Sequence, residues 1–212
     1  APSFFSSARC VKIHLIGNVS NYGNERRKGS SMSTWLDDAV FYEIYPQSFN
    51  DTNADGIGDL PGVIEKLDYV LELGCNALWL NPCFVSPFGD AGYDVADYCR
   101  VAPRYGTNDD LVRLFEEAHA RGMRVILDGV FSHTGSNSVY FDAKHVFGHG
   151  AVSDPNSPYR RWYRFHRYPD DYEAWWGIRT LPCVEELDET YLHYIIEDED
   201  SVIAHWLRLG AD

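Results

Sequence analysis

Three short stretches of this chain hold residue types whose spacing could do chemistry. Asp128-Gly-Val-Phe-Ser-His133 sets a carboxylate and an imidazole five positions apart, directly after the apolar run Met123 to Leu127. A short apolar run behind a helix pattern that ends in Gly122 predicts a buried strand. The pair then falls where that strand runs out into a loop, the edge at which parallel α/β folds build their sites. A turn whose Asp only caps backbone amides is the alternative.

Asp90-Ala-Gly-Tyr93-Asp94 is the second stretch, in the loop after another short apolar run, Ala77–Leu80. If both loops leave one sheet edge, Asp90 and Tyr93 sit beside Asp128. A carboxylate and a tyrosine converging there could hydrogen-bond and stack on a sugar; an Asp-Gly turn with a packing tyrosine would leave the same trace.

The third stretch, Asp51-Thr-Asn53-Ala-Asp55-Gly-Ile57-Gly-Asp59, alternates oxygen-bearing side chains around a glycine. Hard cations need several oxygens converging at about 2.4 Å, and alternation in a tight loop supplies them. Asp51, Asn53, Asp55 and Asp59, with the carbonyl of Ile57, form a candidate Ca²⁺ site. The closing Glu of an EF-hand is replaced by an Asp closer in, so the loop is not an EF-hand. A metal-free turn rich in Asp and Gly is the competing account.

Other chemistries find less support. His145, His149 and His166 lack consistent ligand spacing and read as loop residues. Eight aromatics lie between Tyr159 and Trp176, interleaved with Arg and Asp. They resemble a carbohydrate cleft lining, yet for most of them a role in the core of a small insertion is the better account. No Gly-x-Ser-x-Gly elbow, P-loop or His-Glu-x-x-His occurs.

The elements that must position these residues follow from periodicity. A strand is predicted over Ala39–Tyr45, stopped by Pro46. Pro61 opens a helix with Ile64, Leu67, Val70 and Leu71 on one face and Gly74 at its end. Ala77–Leu80 is the second strand. Thr107-Asn-Asp-Asp110 has the form of a capping box, and Leu111, Leu114, Phe115 and Ala118 make the face of the helix that Gly122 closes. Val125–Leu127 is the third strand. A last helix starts near Tyr191, breaks near Asp198–Asp200, and ends at Gly210. The order β-α-β-α-β-insert-α argues for a parallel sheet, and both a doubly wound sheet and the first half of an eight-stranded barrel fit it. Such a barrel typically needs about 250 residues, so 212 are read as a fragment of one.

Composition narrows the partners. The chain is 45% hydrophobic and 15% aromatic, with a formal net charge of −14. That surplus of acid repels phosphate backbones, which argues against nucleic acid and suits neutral ligands or a cation. No run approaches the roughly 20 apolar residues of a membrane span. Residues 1–31 differ: five basic residues and one acid give them +4, against −18 for the remainder. Lys12 and His14 break their apolar run, which makes a poor signal peptide. Translation is expected to start at Met32, with residues 1–31 as read-through of upstream sequence. Five cysteines without C-x-x-C spacing suggest free thiols in a reducing, cytoplasmic setting.

Taken in order, Val40-Phe-Tyr-Glu-Ile-Tyr-Pro-Gln-Ser-Phe49, Asp55-Gly-Ile-Gly-Asp59, Gly92-Tyr-Asp94 and Asp128-Gly-Val-Phe-Ser-His133 resemble the α-amylase family, glycoside hydrolase family 13. The likeness runs from about Trp35 to Asp212 and is nearest to α-glucosidase-like and neopullulanase or cyclomaltodextrinase members. Leu181-Pro-Cys-Val-Glu185 is similar to the Met-Pro-Lys-Leu-Asn motif of the latter group, departing at most positions, Glu185 included.

The resemblance implies the N-terminal part of a (β/α)₈ TIM barrel. Its core elements would occupy residues 32–133, an inserted small domain 134–190, and the third barrel helix 191–212. It implies that Asp128 and His133 form the first family motif, with His133 contacting the sugar at the cleavage subsite. Tyr93 would stack on that sugar, Asp90 would bind its outer hydroxyls, and Asp51, Asn53, Asp55, Ile57 and Asp59 would match the family's metal loop. The family's chemistry is retaining, with a nucleophile and a general acid about 5–5.5 Å apart on the fourth and fifth strands. Those carboxylates are not among residues 1–212, so this stretch by itself is expected to be inactive and, isolated, to expose a sheet edge and aggregate. The implied parent is a retaining α-glycosidase acting on maltooligosaccharides or related α-glucans. The alternatives are a non-catalytic relative serving binding or assembly, and an unrelated doubly wound ligand-binding domain.

Overall fold

The sheet is built from three parallel strands in the order β1 (Phe41–Ile44), β2 (Ala77–Leu80), β5 (Arg124–Leu127). The structure is a computed structural model that describes residues 34–212. The expectations for residues 1–31, the start at Met32 and Cys10 lie outside the described residues. Residues 35–212 form one unit by their internal contacts.

The register is in step across the three strands: Glu43 lies opposite Trp79, and Trp79 opposite Ile126. Because side chains alternate, Tyr42 and Ile44, Leu78 and Leu80, and Val125 and Leu127 share one face. That face meets the helices, and Ile44, Leu78, Leu80 and Val125 are fully buried there. The opposite face carries exposed Phe41, Glu43 and Trp79 beside buried Ala77.

Between β1 and β2 the chain is helical over α1 (Leu60–Glu65) and α2 (Leu67–Glu72). A single helix was predicted here; it is interrupted at Lys66, whose φ of −104° and ψ of 6° leave the helical region. The apolar spacing still works, since Leu60, Val63, Leu67 and Val70 all bury in the common core, each worth about 1.5–3 kcal/mol. Asp59 caps α1, its carboxylate accepting from the Gly62 amide, and Pro61 stands in the first turn. Close approach demands glycine just before: a Cβ on Gly58 would lie 2.1 Å from the Pro46 carbonyl oxygen.

β2 leads into a hairpin-like excursion, β3 (Phe84–Val85) pairing antiparallel with β4 (Asp97–Val101). Then α3 (Asn108–Ala120) returns to β5 and packs on α1, β4 and β5. Its predicted capping box is present: the Thr107 hydroxyl accepts from the Asp110 amide, and the Asp110 carboxylate from the Thr107 amide.

Residues 134–190 hold a small ribbon, β6 (Phe165–Arg167) with β7 (Asp171–Tyr172), and two 3₁₀ turns. Three isolated antiparallel bridges tie this segment down, His133 with Cys183, Tyr163 with Val184, and Ala174 with Pro182. His166 is therefore a strand residue rather than a loop one. The last helical stretch comprises α4 (Glu189–Leu192), a π-helical turn His193–Glu197 and α5 (Val202–Leu209). The predicted break near Asp198–Asp200 follows the π turn, and Gly210 ends α5 at a left-handed φ of 117°. Asp212 then lies along β5, its amide donating to the Val125 carbonyl at 2.9 Å.

Candidate active site

Parallel strands end together, so β1, β2 and β5 deliver Tyr45, Asn81 and Asp128 to one edge of the sheet. The Asp128 amide still belongs to the ladder, donating to the Leu80 carbonyl at 2.9 Å. Its side chain is half-buried and accepts a hydrogen bond from the Tyr93 hydroxyl at 3.2 Å. That hydroxyl in turn accepts from the Asn81 amide group at 3.1 Å. A relay Asn81–Tyr93–Asp128 thus joins residues from two strand ends and one loop. Burial pushes the Asp128 carboxyl above its ordinary value, while the Tyr93 hydroxyl and the Trp79 side chain hold it down and the charge of Glu43 adds to the rise.

Tyr93 reaches this place because its loop is tightly folded. The Tyr93 amide donates to the Asp90 carbonyl at 2.9 Å. Buried Asp94 anchors the loop from below, accepting from the Ser86 hydroxyl at 2.6 Å and from the Gly89 amide at 2.9 Å. A depression of about 310 Å³ opens here, lined by Glu43, Tyr45, Asn81, Ala91 and Tyr93. A second of about 410 Å³ runs along the π turn and contains none of the candidate residues.

His133 lies beside this group, 5% exposed. Its Nδ1 sits 3.0 Å from the Ser132 hydroxyl, while its Nε2 is buried with no hydrogen-bond partner. Burial lowers its pKa; the Tyr93 carbonyl and the charges of Asp90 and Asp94 act against that. The ring is therefore biased to the neutral form, with its Nε2 sealed from solvent beside Tyr93. Tyr98 fixes the backbone, its hydroxyl reaching the carbonyls of Val130 at 2.7 Å and His133 at 3.2 Å.

Of the four residues singled out in the sequence, Tyr93 and Asp128 touch, His133 adjoins Tyr93, and Asp90 stands exposed at the rim. Glu43, Trp79 and Asn81 were missed. A charged residue in the middle of an apolar parallel strand, as Glu43 is, was the available signal. Asn81 had the same signal as Asp128, a polar side chain one position beyond a strand.

The 51–59 loop is a separate feature. Asp51 accepts from the amides of Asn53, Ala54 and Gly56 at 3.1, 2.7 and 2.8 Å. Asn53 accepts from Asp55, and Asp55 from Ile57, at 2.9 and 2.8 Å, giving a run of Asx turns. The Gly56 amide is foremost in holding the Asp51 carboxyl below its ordinary value. Three carboxylates, an amide oxygen and a main-chain carbonyl are a hard-oxygen set that fits Ca²⁺ in kind. Asp59 has a duty not read from the sequence: one oxygen caps α1 and the other accepts from the Thr52 amide and hydroxyl. Among the described residues no three His, Cys, Asp or Glu side chains gather as a metal cage. The thiols Cys75, Cys83, Cys99 and Cys183 are free, and burial pushes that of Cys83 up to about 12, which keeps it inert.

Comparison with known proteins identifies the family and the fold. Residues 43–202 match the family model of the alpha amylase catalytic domain. The oligo-1,6-glucosidase of Bacillus sp. (strain F5) is 40% identical over 169 residues, covering 77% of this chain and 32% of that protein. The trehalose-6-phosphate hydrolase of Bacillus subtilis (strain 168) is 39% identical over 170 residues, 77% of this chain and 29% of the relative. Among solved structures, the trehalose-6-phosphate hydrolase of Bacillus licheniformis superposes with a TM-score of 0.73 at 33% identity, over 85% of this chain and 35% of that one. The chain spans about a third of the length of the curated relatives it matches. Its three parallel strands and their helices are the N-terminal part of a (β/α)₈ barrel, and the chain belongs to the α-amylase family of glycoside hydrolases.

Proposed function

We propose that the protein carrying this chain is a retaining α-glycosidase that cleaves α-glucosidic bonds in short maltooligosaccharides or related α-glucans. The observation that carries this reading is the Asn81–Tyr93–Asp128 relay at the strand ends beside buried, neutral-biased His133. In this reading residues 35–212 bind and orient. The Tyr93 ring packs on the sugar at the cleavage point, and Asp128 and His133 hold its hydroxyls. Asp90, exposed at the rim, takes the outer hydroxyls and favours an unextended sugar end. The bond-breaking carboxylates of the family belong to later strands, so residues 1–212 alone bind without hydrolysing.

Ca²⁺ in the 51–59 loop is part of the same proposal, held by Asp51, Asn53, Asp55 and the Ile57 carbonyl with help from Asp59. The ion would supply a rigid link between the end of β1 and the start of α1. Cytoplasmic residence is proposed on the free thiols. Among the described residues no helix is long and apolar enough to cross a membrane.

The test is to express the full-length protein and follow maltose, isomaltose, trehalose and cyclodextrin by NMR. Release of α-glucose from at least one of them, with the anomeric configuration kept, is the expected result. Release of β-glucose would overturn the retaining mechanism. Binding of maltooligosaccharide without turnover would make the protein a non-catalytic relative. For the loop, Ca²⁺ should raise Tm by a few degrees and Asp51→Ala should abolish the rise; no response to Ca²⁺ in the parent would remove the metal.

A further inference from the structure

Trp176 is 88% exposed, far more than any other aromatic among the described residues. Its backbone is also strained: φ is 50° and ψ is 25°, the left-handed region that bulky residues avoid. Such strain persists only where surrounding structure over-determines it, and it gathers at ligand clamps. Here the surroundings are explicit. The Trp175 amide donates to the Leu181 carbonyl, the Gly177 amide to Ala174 and the Ile178 amide to Trp175, each at 2.9 Å. The bridges Ala174–Pro182 and His133–Cys183 then fix this turn to the segment that carries His133.

The rings follow the same path. The Trp175 ring lies 5.2 Å from that of His133 at 33°, and the Trp176 ring lies 6.0 Å from Trp175 at 11°. Three rings, His133, Trp175 and Trp176, therefore form a continuous aromatic path. The indole face is broad and apolar with a polar edge, which matches the apolar face and hydroxyl rim of a pyranose. The acid surplus of the chain suits an uncharged oligosaccharide over a phosphorylated one.

We propose that Trp175 and Trp176 form a stacking platform for an outlying glucose unit of an α-glucan oligosaccharide, making them determinants of substrate length. This rests on the glycosidase reading and adds to it a binding surface beyond Tyr93, Asp128 and His133. Trp176 is the anchor, and Trp175 couples it to His133.

The experiment uses the full-length protein and compares kcat/KM for maltotetraose with that for maltose. In Trp176→Ala the ratio should fall about tenfold, the effect of losing one good stacking contact. Trp176→Phe should restore most of it, and both variants should melt within a few degrees of the parent, since the side chain is exposed. An unchanged ratio in Trp176→Ala overturns the platform. If the parent cleaves no sugar, the glycosidase reading falls by itself. Fluorescence titration with maltotetraose then decides the platform: weaker binding by Trp176→Ala than by the parent supports it, and equal binding overturns it.

Discussion

In the 51–59 loop Asp51 stands in solvent and collects three backbone amides, while at the strand ends Asp128 is half-buried with two side-chain donors. The first carboxyl is pulled below its ordinary value and the second is pushed above it. Donor count and solvation set the sign in each case, although the residue type is the same. A carboxylate saturated by its own loop is a structural element or a cation ligand. One left short of partners in a cleft keeps lone pairs for something else, and perturbed groups of that kind mark functional sites.

The sharpest way to break the comparison is to neutralise each acid in the full-length enzyme. Asp128→Asn is expected to lower kcat/KM by about 10²–10³, as loss of one preorganised charged contact does, whereas Asp51→Asn should leave it within about threefold at saturating Ca²⁺. Equal losses would mean that Asp128 only supports the fold.

Tyr93→Phe comes next, with about a tenfold loss in kcat/KM. Its second readout is the titration of Asp128 itself, followed by carboxyl NMR. The hydroxyl holds the Asp128 carboxyl down, so its removal moves that titration to higher pH. An unmoved titration would show that the 3.2 Å contact does not govern Asp128.

Asp59→Ala should cost about 1 kcal/mol in urea unfolding, the worth of a helix N-cap. Asp55→Ala, with no cap to lose, should cost less in the absence of Ca²⁺.

The smallest effect is also the most diagnostic, because the two acids have opposite linkage signs. A raised folded-state pKa, as at Asp128, contributes stability that is present below its unfolded value, 3.8, and is lost as pH rises through the folded value. A lowered one, as at Asp51, contributes above 3.8 and is lost as pH falls through the folded value. In thermal melts from pH 3 to 7, Asp128→Asn should gain on the parent as pH rises and Asp51→Asn should lose on it. Parallel curves would refute the contrast.

How much could be read beforehand depended on range along the chain. The Thr107–Asp110 box, the bounds of β2 and the left-handed Gly210 were legible because each is decided within about four residues. The break at Lys66 was not, since the apolar spacing of Leu60, Val63, Leu67 and Val70 tolerates it. The eight aromatics from Tyr159 to Trp176 divided as no periodicity could foretell. Trp162 and Tyr163 went into the core with Tyr140 and Phe141, as a small insertion requires, while Trp175 and Trp176 stayed outside. The turn that carries Trp175 and Trp176 is held by long-range contacts, the bridge from Ala174 to Pro182 and the Trp175 amide on the Leu181 carbonyl.

Ordered motifs, strand–helix alternation and charge balance were written in the residues themselves, because hydrophobic period and capping chemistry act locally. They carried the parallel architecture and the family, and they picked out Asp90, Tyr93, Asp128 and His133 as candidates. Tertiary structure decided the rest. It set the Tyr93 hydroxyl against a carboxylate 35 positions away, put Asn81 behind it and Glu43 near it, and left the His133 Nε2 without a partner. Those facts depend on which strand lies beside which and how deeply each side chain is desolvated, and neither is a property of any short stretch of sequence.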